Sequence, residues 1–83
     1  MKHPRWPDRL SRLGRFMVTN DVTGTALAAR SGLSRRYVAD LRYGRCSPTL
    51  DSMKFVAGAM SDILGRRVRL GELFDLRFDV YDD

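Results

Sequence analysis

Residues 24–45 read GTALAARSGLSRRYVADLRYGR, and the fold turns on how this stretch divides. Thr23, just before it, is an N-cap type whose hydroxyl can accept from a first-turn amide, so a helix runs through GTALAARS until Gly32 stops it. Ser34 is again an N-cap type and opens a second helix over 34–43. Gly44 then sits where a left-handed residue ends a helix. Only Gly32 and Leu33 lie between the two. Ala28 is small where the helices approach. On a wheel of about 100° per residue, Val38 and Leu41 share one side while Arg36, Asp40 and Tyr43 share the other. Two short helices about a glycine turn, the second rich in arginine, make a helix-turn-helix.

Working outward, the flanks also read as helices, and nothing before the C-terminal tail alternates with period two. A first helix is expected after Pro7, with Leu10, Leu13 and Met17 on one face; Gly14 inside it marks either close packing or a weak helix. Pro48 and Thr49 or Asp51 open a fourth helix. There Leu50, Met53, Val56, Ala57, Met60, Ile63 and Leu64 keep helical spacing up to Gly65. Leu70, Leu73 and Phe74 suggest a short fifth helix closing the core. The expected class is all-α: a basic N-terminal arm over 1–9, a single domain over 10–74 and an acidic tail over 75–83, with faint alternation at Leu76, Phe78 and Val80.

The 83 residues carry a net charge of +5 with a pI near 10.1, which favours polyanionic partners. Residues 1–45 hold ten basic and three acidic side chains, net +7, against five and seven, net −2, in 46–83. Thirteen of the 15 basic residues are arginine, suited to bidentate recognition of phosphate or guanine. Codon bias in a GC-rich genome is the blander cause. One cysteine, Cys46, and one histidine, His3, build neither a disulfide framework nor a zinc site, so a reducing cytoplasm and no metal are expected. No stretch approaches 18 consecutive apolar residues, and no nucleophile–base pair or phosphate loop stands out. A soluble chain that is not an enzyme and uses no cofactor is expected.

The stretch from Thr25 to Met60 resembles the Cro/C1-type, or XRE-family, helix-turn-helix domain. Leu27, Ala28, Gly32, Leu33, Ser34 and Val38 fall on its core pattern, and Gly44, Pro48, Ala57 and the LGELF ending at Leu70–Phe74 follow; the resemblance covers roughly residues 10–74. It implies a compact five-helix, Cro/C1 repressor-like bundle that reads the major groove of double-stranded DNA with the helix over 34–43. It places base contacts at Arg35, Arg36, Tyr37 and Asp40, and the chemistry agrees, since arginine fits guanine O6/N7 and a carboxylate accepts from cytosine N4. Phosphate contacts are expected from Ser34, Tyr43, Arg45 and Ser47 around the ends of that helix.

Three departures matter. The family often has a phosphate-contacting glutamine where this chain has Gly24. It commonly pairs an arginine on the first helix with a glutamate near the end of the third, where Met17 and Arg42 stand; with both partners changed, Arg42 is free to reach the DNA backbone. The connection SDILGRRVR after Met60 is longer than the usual one.

The expected function is a bacterial or phage transcriptional regulator, in the first instance a repressor, acting as a homodimer on DNA. The rival is an antitoxin or other interaction module that docks a protein through Phe55 or the acidic tail. The arm KHPRW lies along DNA or forms a plain tail, and Trp6 is read as a lid on the first helix. Asp40 amid arginines has two readings: it orients Arg36 four residues away, or it faces the groove and suppresses nonspecific binding.

Overall fold

A computed structural model of the chain describes residues 10–76. Five helices follow in order: α1 (Arg12–Thr19), α2 (Gly24–Ser31), α3 (Arg35–Arg42), α4 (Leu50–Leu64) and α5 (Leu70–Leu73). Among the described residues there is no strand, so the all-α, five-helix reading holds. No helix among them is long and apolar enough to cross a membrane. The arm over 1–9 with His3 and Trp6, and the tail from residue 77 onward, lie outside the described residues.

The caps act as the sequence indicates. Thr23 Oγ1 accepts from the Ala26 N–H at 3.1 Å, Ser34 Oγ from Tyr37 at 3.0 Å and Thr49 Oγ1 from Ser52 at 3.1 Å. Each satisfies one amide that its helix leaves without a carbonyl. Gly32, Gly44 and Gly65 close α2, α3 and α4 at φ of 79°, 68° and 69°, a region costly for other residues.

α1 starts later than expected, at Arg12 rather than after Pro7, because Ser11 is its N-cap and Leu10 precedes the helix as a buried core residue. α2 packs on α4 and α3, α1 on α3 and α5, and α4 on α5. Leu13, Met17, Leu27, Val38, Val56, Met60 and Leu73 are fully buried between them. Val38 and Leu41 are thereby fixed as the inner side of α3, which turns its opposite side to solvent. The long connection after α4 is pinned by Ser61, whose hydroxyl donates to the Ala57 carbonyl at 2.8 Å and accepts from the Val68 N–H at 2.9 Å.

Candidate nucleic-acid interface

α3 is held at its far end by α1. The Ser11 N–H donates to the Arg42 carbonyl at 2.9 Å, and the Ser11 hydroxyl lies 2.7 and 2.9 Å from the carbonyls of Leu41 and Arg42, which share its hydrogen. The same oxygen accepts from the Gly14 N–H at 3.1 Å. One serine thus starts α1 and finishes α3. Gly14 makes the approach possible: a Cβ there would sit 2.5 Å from the Arg42 carbonyl oxygen and 2.6 Å from Leu10 Cδ2. Of the two readings of Gly14, close packing is the right one. α3 then ends in a Schellman turn, with the Arg45 N–H on the Asp40 carbonyl at 2.8 Å and the Gly44 N–H on Leu41 at 3.2 Å.

Two rows of side chains leave the outer side of α3. Arg36, Asp40 and Tyr43 form one. Arg35, Ala39 and Arg42 form the other, and this second row lines a cleft of about 300 Å³ whose opposite wall is Gly24 and Thr25 at the start of α2. The first N–H groups of α2 have no carbonyl partner in their own helix. Arg35 and Arg36 are exposed and engage no partner among the described residues. Arg42 is half-buried along Gly14, and its Nη1 lies 4.0 Å from where a Gly24 Cβ would be. Its Nε is buried without a hydrogen-bond partner among the described residues. The guanidinium groups of Arg42 and Arg45 stand 5.7 and 5.0 Å from the centre of the Tyr43 ring, so two cations share one ring.

The structure separates some of the residues that the sequence reading groups together. Tyr37 does not join the arginine face: its ring is half-buried against the core and its hydroxyl bonds Ser52 Oγ on α4 at 3.0 Å. Asp40 does not orient Arg36. Its carboxylate lies 3.4 Å from Arg45 Nη1, brought near by the turn at Gly44 rather than by helical spacing. The Asp40 side chain keeps 27% of its surface exposed and Arg45 keeps 61%, so this is a loose surface pair.

Ser34 is exposed, and its oxygen is used for capping while its O–H remains able to donate. Ser47 is exposed in the loop before α4. Cys46 beside it is packed against the core, and burial, with a smaller push from the Asp40 charge, raises its thiol pKa above the ordinary value. It stays a thiol at neutral pH, which suits packing rather than redox chemistry.

Two residues escape the sequence reading. Ser11 looks like any surface serine until α3 ends against it, and Ser52 has no outward signal beyond following Thr49. No family model, no curated protein and no solved structure matches this chain.

Proposed function

We propose that the chain is a sequence-specific double-stranded DNA-binding protein that regulates transcription. α3 lies in the major groove, and Arg35 and Arg36 read base edges. The observation that carries this reading is the side of α3 opposite Val38 and Leu41. It presents two exposed, unengaged arginines beside a cleft where Arg42 lies next to Gly24 at the start of α2. Arginine fork geometry suits guanine O6 and N7, and each such contact discriminates by about 1–3 kcal/mol. A backbone phosphate fits the cleft, meeting the first amides of α2, Arg42 and the Tyr43 hydroxyl, so that Arg42 serves where a glutamine side chain at position 24 is missing. Ser34, Arg45 and Ser47 add contacts at the two ends of α3. Asp40 is the single acid among residues 34–45. It accepts from cytosine N4 where one is present and holds back Arg45 where none is.

Selection of bound duplexes from a random DNA pool tests this. A motif containing guanines, repeated in two-fold related half-sites, is the expected outcome; retention without enrichment of any sequence defeats base reading. Repression of a target promoter and a cytoplasmic location belong to the same proposal. The rival reading, an antitoxin or other interaction module, draws on Phe55, which stands 54% exposed on α4.

A further inference from the structure

α4 turns Asp51, Lys54, Phe55, Gly58 and Asp62 to solvent. Gly58 sits in the middle of this 15-residue helix, where glycine is destabilising relative to alanine. Gly14 has a packing reason; Gly58 has none among the described residues, since a Cβ there would meet nothing of theirs within 4 Å. The two exposed large hydrophobic residues among those described, Leu50 at 38% and Phe55 at 54%, are on this same helix. Neither Lys54 nor Asp62 makes an ion pair among the described residues.

We propose that this side of α4 seats a second copy of the chain, in an antiparallel α4–α4 pair centred on Gly58. Lys54, Gly58 and Asp62 are spaced by four and form one row on the helix surface. Such rows on two helices come parallel when the axes cross at about −50°, the commonest class of helix packing. With a two-fold axis at Gly58, reversing one copy sets Lys54 of each chain across from the partner's Asp62, twice. A parallel pair would set Lys54 on the partner's Lys54 instead, so the charges select the antiparallel arrangement. At the centre, glycine on glycine lets the backbones approach at the close end of the 8–10 Å range for packed helices. Both Phe55 rings fall on the same flank of the axis, one turn from Gly58, where each covers the other. α3 meets α4 through Tyr37 and Ser52 on the buried side, so the arginine face stays open in the pair.

One helix face buries less than the roughly 1,200–2,000 Å² of a stable interface, so the dimer is weak in isolation and forms at high concentration. Sedimentation equilibrium of the full chain without DNA, from ~10 μM to ~1 mM, tests it apart from the DNA reading. Wild type is expected to move from monomer to dimer across that range. Lys54→Asp and Asp62→Lys should each weaken association at least about ten-fold by setting like charges opposite, and the double swap should restore it. Gly58→Gln should raise the melting temperature of the monomer while abolishing the dimer, two readouts that a merely structural role would not move in opposite directions. A wild-type chain that stays monomeric throughout overturns the proposal and leaves this face to a different protein. A dimer that persists in Gly58→Gln, or a double swap that fails to recover, places the contact elsewhere and overturns it too.

Discussion

The molecule has two clusters of arginines, and they are used differently. In the turn after α4, Arg66 donates to Glu72 Oε1 at 3.2 Å and to the Arg67 carbonyl at 3.1 Å, and it lies 5.9 Å from the centre of the Phe16 ring. Glu72 Oε2 accepts from the Arg69 N–H at 2.9 Å, and Arg12 reaches over to the Gly71 carbonyl at 2.8 Å. The Arg69 N–H above all, then Arg66, hold the Glu72 carboxyl below the ordinary carboxylate range. One acid and two carbonyls thus hold the guanidinium groups of Arg66 and Arg12 between α1 and α5. On α3 the one acid takes Arg45, loosely, and Arg35 and Arg36 meet no partner among the described residues. Equal arginine content therefore says little about function; what decides is whether carbonyls and carboxylates of the fold reach the guanidinium groups first.

The comparison can be broken most directly at its hinge. Gly14→Ala would drive a methyl group onto the backbone at the end of α3, and a backbone carbonyl cannot step aside as a side chain can; a loss of about 3 kcal/mol is expected in urea unfolding. Little change would mean that α1 does not fix the end of α3. Next in size is the contrast between the clusters. Arg36→Ala should cost about 1–3 kcal/mol on a selected duplex and relax preference at one base pair, while Arg66→Ala should leave binding to that duplex unchanged. Equal losses in the two variants would erase the distinction drawn here.

A smaller effect belongs to Asp40→Asn, which releases Arg45. Nonspecific affinity should rise by about 0.3–0.5 kcal/mol at fixed salt, and the ratio of specific to nonspecific binding should fall. Unchanged nonspecific binding together with lost guanine preference would return Asp40 to the role of orienting Arg36. The smallest effect is expected from Glu72→Gln. The folded-state pKa of Glu72 is lowered, so its stabilisation is present at neutral pH and lost as pH falls through the carboxylate range. The variant should melt slightly below wild type at pH 7 and together with it in acid, and a gap that persists in acid would assign the effect to packing.

Much of the fold is legible because its signals are local. Thr23, Ser34 and Thr49 accept from amides three residues on, and Gly32, Gly44 and Gly65 supply conformations that few other residues tolerate. Periodicity likewise marks Val38, Leu41, Val56 and Met60 as buried. What the local pattern misses depends on partners far along the chain. α1 begins at Arg12 because Ser11 is engaged with carbonyls 30 and 31 residues away. Tyr37 sits in the arginine stretch, yet Ser52, 15 residues later, claims its hydroxyl. A helical wheel pairs Asp40 with Arg36, the arginine at a helical spacing from it; the turn at Gly44 bends the chain so that Arg45, five residues on, takes the carboxylate. Arg42 stands out in the sequence by replacing an acid of the pattern it resembles, but the room it occupies comes from Gly14, where a Cβ would lie 3.3 Å from its Cγ.

The seam between Ser11 and Arg42 also sets an order of events during synthesis. α1 is made first, but the carbonyls it must close are encoded 30 residues later, which at about 5–20 residues per second amounts to roughly 2–6 s of elongation. Throughout that interval Leu13 and Met17 have no α3 to cover them. The nascent chain cannot complete its first helix contact until the arginine-rich segment has left the ribosome, so α3 emerges as the element on which docking of the earlier α1 waits.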